Sequence, residues 1–493
     1  MVEGPDGTPV NQWKTLDKDL QRIGRVEDGA QFVSRPMVAP GLALAFVVLA
    51  GVGAAILVQG EPGNWVIVAA AVIGAYMALN IGANDVANNM GPAVGAKALP
   101  LLGALCIAAI FESAGALVAG GDVVNTVAKG IIDPTALPDP AHFVWAMMAA
   151  LLSAALWLNL ATWFGAPVST THSIVGGVVG AGIVAAGFGA IDWSSMGMIA
   201  ASWVISPMMG GVIAACFLAF IKAKVLYVED KIAAARVWVP VLMGVMAGAF
   251  ATYLALKGLK HVLQIGLVSA LGIGGMVGIL CWAFAVPFVR LKSKGLENRK
   301  KSLKKLFGLP LVVSAALLSF AHGANDVANA VGPLAAIVHT LQAGAIAQEV
   351  SLPIWVLTVG ALGISVGLLL FGPRLIRLVG SEITKLNTVR AFCVALSAAI
   401  TVIFASWLGL PVSSTHIAVG GIFGVGFYRE YDAEKRARRL GIQKGKPVPP
   451  EERKRRLLVR RSHMMTVAAA WVVTVPASAG LSAVIYLVLD ALT

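Results

Sequence analysis

Two short words in the sequence carry side chains that can do chemistry, and each occurs twice. The first is Gly82-Ala-Asn-Asp-Val-Ala-Asn-Asn-Met-Gly-Pro92, matched by Gly323-Ala-Asn-Asp-Val-Ala-Asn-Ala-Val-Gly-Pro333. It sets a carboxylate, Asp85 or Asp326, between the carboxamides of Asn84 and Asn88 or of Asn325 and Asn329. Such oxygen donors suit hard cations, Na⁺ as well as Ca²⁺ or Mg²⁺. The same carboxylates could instead carry protons. The second word is Pro167-Val-Ser-Thr-Thr-His-Ser-Ile-Val-Gly-Gly177, matched by Pro411-Val-Ser-Ser-Thr-His-Ile-Ala-Val-Gly-Gly421. Proline stops one helix, and Ser169 or Ser413 can cap the next. The orphan N–H groups of such a helix start attract anions. The hydroxyls of Ser169, Thr170, Thr171, Ser413, Ser414 and Thr415 add donors. Two such starts aimed at one point suit a tetrahedral oxyanion.

Neither word contains Lys or Arg. A multivalent anion beside Asp85 and Asp326 therefore needs positive charge from elsewhere. Helix dipoles supply part of it, and co-bound cations would supply the rest. This chemistry points to cation-coupled anion symport. His172 and His416 stand one turn into the helix that each Pro-Val-Ser word opens. Two roles stay open for them: packing or orientation, and substrate contact or proton traffic.

The elements that must position these groups are membrane spans. The chain has 493 residues, 58% hydrophobic and 13% charged, with a mean hydropathy of +0.82. Soluble domains carry about 25% charge, and several apolar runs here approach the ~20 residues that cross a bilayer. The net charge of +13 lies mostly between spans. Residues 429–461 hold 13 Lys and Arg against 5 Asp and Glu, and residues 290–305 hold 8 against 1. Basic loops at membrane edges mark the cytoplasmic side, and no nucleic-acid partner is expected. Cys106, Cys216, Cys281 and Cys393 stand singly in apolar segments and form no metal or disulfide pattern.

The two words recur at offsets of 241 and 244 residues, and a weaker pair follows, Trp203-Val-Ile-Ser-Pro207 and Trp471-Val-Val-Thr-Val-Pro476. Internal duplication in a polytopic chain suggests a secondary transporter with its site between the copies. We expect crossings near 41–59, 64–83, 101–120, 197–221, 236–256, 264–289, 310–324, 352–372 and 464–488. The stretches 143–188 and 389–428 are expected as re-entrant hairpins. With 290–305 in the cytoplasm, 222–235, 373–388 and 429–461 fall inside, while 121–142 and 189–196 fall outside. The copies are then inverted, with the N-terminus in the cytoplasm and the C-terminus outside. The run 334–348 fits either an interfacial helix or another crossing.

The expected fold class is an all-α polytopic membrane protein of two inverted repeats, each with a re-entrant hairpin and a broken helix. Its parts are a polar cytoplasmic tail (1–40), an extra N-terminal span (41–63), a first repeat (64–235), linking helices with a basic loop (236–309), and a second repeat (310–493). The Gly-Ala-Asn-Asp glycines are expected to break their helices and free carbonyls for a cation. The basic loop 429–461 reads as a solvated topology signal that touches anionic lipid.

The paired Gly-Ala-Asn-Asp-Val-Ala-Asn and Pro-Val-Ser-(Thr/Ser)-Thr-His words resemble the inorganic phosphate transporter family. That family includes the type III sodium–phosphate cotransporters and bacterial low-affinity phosphate permeases. The resemblance spans about residues 64–488. It implies import of phosphate held between two hairpin tips, coupled to H⁺ or Na⁺, with no other cofactor, in the inner (plasma) membrane. It implies phosphate contacts at Ser169, Thr170, Thr171, Ser413, Ser414 and Thr415, with Asn84 and Asn325. Cation or proton coupling is implied at Asp85, Asn88, Asp326 and Asn329, with Asp85 and Asp326 as metal ligands if Na⁺ is the coupling ion. Glu112 fits a membrane glutamate of the sodium-dependent members, or else pairs with a neighbouring helix. The second copy's run 391–406 has no acidic residue, so a sodium stoichiometry is not carried over. A homodimer is implied too. Sulfate or another tetrahedral oxyanion is the alternative cargo. A channel is disfavoured by hairpins and broken helices, and no nucleotide or nucleophile motif supports a pump or an enzyme.

Overall fold

The computed structural model describes residues 37–164, 166, 168–257, 265–346, 352–382, 386–439 and 461–492. Most of the expected polar tail, Pro167 and residues 440–460 of the basic loop lie outside the described residues.

Among the described residues, helix is the rule, and 11 helices are long and apolar enough to cross a membrane. The reason is the solvent. In hydrocarbon a backbone must satisfy its own N–H and C=O groups, and a helix does so within one segment. The chain begins with α1 (Met37–Leu57), α2 (Asn64–Gly95), α3 (Leu101–Ala119) and the short α4 (Gly121–Lys129). A first hairpin follows, α5 (Pro140–Phe164) and α6 (Thr170–Ala186), then α7 (Trp193–Ile221). The linking helices are α8 (Lys231–Lys257), α9 (Leu267–Lys292) and α10 (Leu303–Leu306). The second set is α11 (Gly308–Asp326), α12 (Ala328–Ala343) and α13 (Ile354–Glu382). The second hairpin is α14 (Thr388–Trp407) and α15 (Ser414–Arg439), and α16 (Arg461–Leu492) closes the chain.

Three expectations change. The first motif does not break its helix: α2 runs unbroken through Gly82, Asp85 and Pro92. Only the second copy is interrupted, at Val327 between α11 and α12. Residues 334–343 of the run 334–348 are no separate element either, because they end α12, which with α11 forms one apolar span of 36 residues. Finally, 121–142 is not all solvated loop. It carries α4, whose Val123, Val124, Val127 and Ala128 are fully buried.

Glycine explains both the unbroken α2 and the packing of the bundle. Gly82 of α2 lies against the Ile364 carbonyl of α13, and Gly323 of α11 against the Glu112 carbonyl of α3; neither leaves room for a Cβ. Gly115 of α3 meets the Phe320 carbonyl, and Gly367 of α13 meets that of Leu79. Small residues at such crossings let membrane helices approach closely. Each contact has a reciprocal: what α3 does to α11, α13 does to α2. The hairpins repeat this. Gly420 and Gly424 of α15 sit on Pro207 and Gly211 of α7, while Gly176 and Gly180 of α6 sit on Val475 and Ala479 of α16. Exchange of equivalent contacts is the mark of a two-fold relation. Where the equivalents meet themselves, Ser113 and Ser365 hydroxyls are 2.6 Å apart and the His172 and His416 rings 4.4 Å.

The two ends of the bundle differ. At one rim Lys222 pairs with Asp432 at 2.7 Å, Lys231 N donates to Asn298 at 2.9 Å, and Arg236 donates to Ser293 at 2.7 Å. These bonds gather the basic segments. At the other rim Asp133 N donates to the Ala190 carbonyl, Asp192 N to that of Ile131, and His142 lies 3.7 Å from Asp490. Large apolar side chains such as Leu49, Val268, Ile279 and Phe284 face outward between the rims, where lipid would cover them.

Candidate functional site

The hairpin tips are built from residues that give their polar groups to other elements. Ser169 Oγ accepts from His172 N at 3.1 Å and caps α6; Ser413 Oγ accepts from His416 N at 3.3 Å and caps α15. Four successive carbonyls precede α15 without helical partners, and each is met by a side chain. Gly409 accepts from Thr126 of α4 (2.7 Å), Leu410 from Asn325 (3.2 Å), Pro411 from the Trp203 indole (3.2 Å) and Val412 from Thr171 (3.0 Å). Irregular backbone at membrane depth survives only when it is satisfied in this way.

The two Asn-Asp motifs reach both tips. Asn84 is bonded to Thr162 of the first hairpin at 3.0 Å, and Asn325 donates to Ser406 of the second at 2.9 Å. With its amide turned, Asn84 also donates to the Val168 carbonyl (3.2 Å) and to Asp85 (3.3 Å). The +3 residues cross over. Asn88 donates to Thr415 at 2.8 Å, while Asn329 donates to Thr171 at 3.2 Å and Thr170 at 3.3 Å. Of the carboxylates, Asp85 accepts from Thr415 of the other copy and Asp326 from Ser414 of its own, each at 3.0 Å. Ser169, Thr170, Thr171, Ser413, Ser414, Thr415, Asn84, Asp85, Asn88, Asn325, Asp326 and Asn329 are thus gathered, and all are buried.

Acceptor capacity is left over. Asp326 Oδ1, Asn325 Oδ1 and Asn329 Oδ1 are buried oxygens without a hydrogen-bond donor among the described residues. Buried acceptors of this kind are costly unless something fills them. Hard oxygen donors beside two carboxylates fit a small cation or a protonated oxyanion.

Sequence reasoning missed the group that joins the carboxylates. His322, one residue before the second motif, has Nε2 2.8 Å from Asp326 and 3.5 Å from Asp85, and Nδ1 3.2 Å from Glu112. Asp85, His322 and Asp326 bring ligand atoms within 4.8 Å of one another. A ring with both nitrogens facing carboxylates can donate from each when it is protonated. The other Glu112 oxygen accepts from Asn89 at 2.8 Å. Glu112 therefore does pair with neighbouring helices, and it touches the site through His322. The contacts also relocate its counterpart. It is Ile364 of α13, not a position in 391–406. Ile81 stands where the other copy has His322, and Ala330 stands where the first has Asn89. The asymmetry itself was the readable signal: a histidine and a glutamate where the matching positions are apolar.

His172 and His416 are not aimed at the carboxylates. His172 packs on Trp203 with ring centroids 3.9 Å apart, and His416 stacks on Trp471 at 3.5 Å. The weak third sequence pair thus supplies the aromatic walls of this stack.

A multi-span helical bundle with buried ionisable groups gathered at two hairpin tips has the build of a membrane transporter. The chain belongs to the phosphate transporter family, whose model matches residues 81–482. A Helicobacter pylori protein named "Putative phosphate permease" is 50% identical over 425 residues, covering 86% of this chain and 80% of that protein. A permease of the same name from Pyrococcus abyssi is 37% identical, covering 85% and 96%. Among solved structures, "The sodium-dependent phosphate transporter" is similar with a TM-score of 0.78 and 32% identity, covering 87% of this chain and 100% of that one. The expectations of an all-α multi-span membrane protein, of phosphate as cargo and of a non-enzymatic role agree with these likenesses.

Proposed function

We propose that the chain imports phosphate by symport with a cation, through alternating access of a site between the two hairpin tips. The observation that carries this reading is the crossed pairing of Asn88 with Thr415 and of Asn329 with Thr171. Each Asn-Asp motif is bonded to the tip of the other copy, so the oxyanion donors and the cation acceptors share one place. Phosphate contacts fall to Ser169, Thr170, Thr171, Ser413, Ser414, Thr415, Asn84 and Asn325. Asp85, Asn88, Asp326 and Asn329 hold the coupling cation, with Glu112 acting through His322. A Na⁺ at Asp85 and Asp326 would offset the phosphate charge; a proton there would do the same. The sodium dependence named for the solved relative favours Na⁺, whereas the imidazole at those carboxylates favours H⁺.

The reciprocal glycine contacts support two inverted repeats, 64–235 and 310–493, flanking the linking helices. The gathering of basic segments at one rim supports that rim as cytoplasmic, with the C-terminus outside and the chain in the inner membrane. A homodimer is part of this reading. The test is labelled phosphate uptake into proteoliposomes under a sodium gradient or a proton gradient, with sulfate as competitor. Uptake under one gradient alone names the coupling ion, and Asp326→Asn should then abolish it. Equal uptake with and without any gradient would sink the symport reading. Accumulation of sulfate in place of phosphate would move the cargo.

A further inference from the structure

At the rim that gathers the basic segments, a cavity of about 340 Å³ opens between α7, the 293–303 segment, the start of α14 and the end of α15. Lys222, Lys300, Arg390 and Arg429 line it, against one carboxylate, Asp432. That carboxylate is already taken by Lys222 Nζ and by the Tyr227 hydroxyl. Lys300 lies over the Tyr227 ring, 5.9 Å from its centroid. Arg390 and Arg429 are half-buried and line the same cavity. Neither has an ion pair or a side-chain hydrogen bond among the described residues. Glu430, next in sequence, is the acidic group that acts on Arg429.

Two guanidiniums and two ammonium groups around one carboxylate are unfavourable unless an anion joins them. The fold does not impose them. At the matching positions of the other copy, Arg390 becomes Ala146, Arg429 becomes Ala185 and Lys222 becomes Asp490. The charges belong to this end of this hairpin alone.

We propose that this cavity is a second anion site, separate from the one between the hairpin tips, and that it binds a phosphate-bearing ligand. Guanidinium forks match phosphate oxygens two at a time. The start of α14 adds orphan N–H groups beside Asn387, whose side chain accepts from Arg390 N at 3.0 Å. The volume lies in the range of small-molecule sites and exceeds what one phosphate group fills. The ligand therefore carries its phosphate on a larger body. A soluble phosphate monoester and a phospholipid headgroup share that chemistry, and the rim is within reach of both.

The experiment uses the full chain in phosphatidylcholine nanodiscs and compares the wild type with Arg390→Gln/Arg429→Gln. Glycerol 3-phosphate binding is read by calorimetry, with glycerol as the neutral control. Retention of phosphatidic acid is read by native mass spectrometry. Neither arginine belongs to the central site, so unchanged phosphate uptake by the variant shows that it is folded; Arg390→Lys/Arg429→Lys is the second check and should retain most of the binding. Glycerol 3-phosphate affinity that falls about tenfold or more in the Gln variant assigns a soluble ligand. Loss of phosphatidic acid retention alone assigns a lipid headgroup. Binding that is equal in wild type and Gln variant for both probes, or absent for both, overturns the proposal. The proposal rests on the cavity and not on the transport reading, and uptake measurements leave it unaffected.

Discussion

His322 and Glu112 are the residues that make the two halves of the site unequal. Both are fully buried and 3.2 Å apart, and each has an isoleucine, Ile81 or Ile364, at the matching position of the other copy. Removing one partner of a buried ion pair strands the other and costs about 3–5 kcal/mol, whereas replacing both by apolar groups is often neutral. We therefore expect His322→Ile and Glu112→Ile each to lower the thermal midpoint in detergent sharply. Combining both with Asn89→Ala should recover most of the loss, because Ile81, Ile364 and Ala330 stand at those positions in the other half. Additive losses would mean that the pair is not coupled. At the tips, Thr171→Ala should raise the apparent phosphate constant more than Lys294→Ala, which lies on an exposed rim segment; equal effects would remove Thr171 from the site. Much of the site was legible because its residues form repeated words: Asn84, Asp85, Asn88, Thr171 and Thr415 all stand in both copies. His322 was not, since a search for repeats finds what two copies share and passes over what one copy lacks.

At the scale of elements, glycine decides how the helices meet. The Gly-Ala-Asn-Asp word suggested a broken helix because glycine is a weak helix former. In the bundle Gly82 and Gly323 instead supply flat faces for α13 and α3, and intact helices pack there. Composition could not tell these roles apart, because the difference lies in the neighbour and not in the word. Gly323→Ala would drive a Cβ into the Glu112 backbone, and overpacking of this kind costs about 1–3 kcal/mol. Gly275→Ala, on the exposed face of α9 with nothing within 4 Å, should be neutral or stabilise by up to about 1 kcal/mol. Thermal unfolding of the two variants in detergent would show the contrast. Equal midpoints would mean that the close approach of α3 and α11 carries no weight. The hairpin tips were legible, because proline and serine mark them, but the second hairpin's helix runs on to Arg439, past the expected 428. The burial of α4 was not. Its Thr126 is held by a carbonyl from the opposite hairpin, a contact between distant parts of the chain.

For the molecule as a whole, the proposed topology places the two rims on opposite sides of a bilayer. Ser194 and Lys301 are exposed at opposite ends. In a background without the four native cysteines, Ser194→Cys should react with an impermeant maleimide added outside intact cells, and Lys301→Cys only after lysis. The reverse pattern would invert the proposed topology, and labelling of both from one side would end it. The segregation of charge behind the proposed orientation was plain in the sequence, since Lys and Arg cluster in a few segments. That those segments also enclose a cavity was not, because the sequence does not say which loops converge.

The lone His322–Glu112 pair has one more consequence. If the two copies exchange roles as the site opens to one side and then to the other, a perfectly matched protein would hold both facings equally populated. An imidazole–carboxylate pair present in one half only must sit in a different environment in each facing, and the two then differ in free energy. The molecule should have a preferred resting face, set by two side chains rather than by the bundle. The variant with isoleucine at both positions should bring the ratio of inside to outside accessibility of the central site nearer to one.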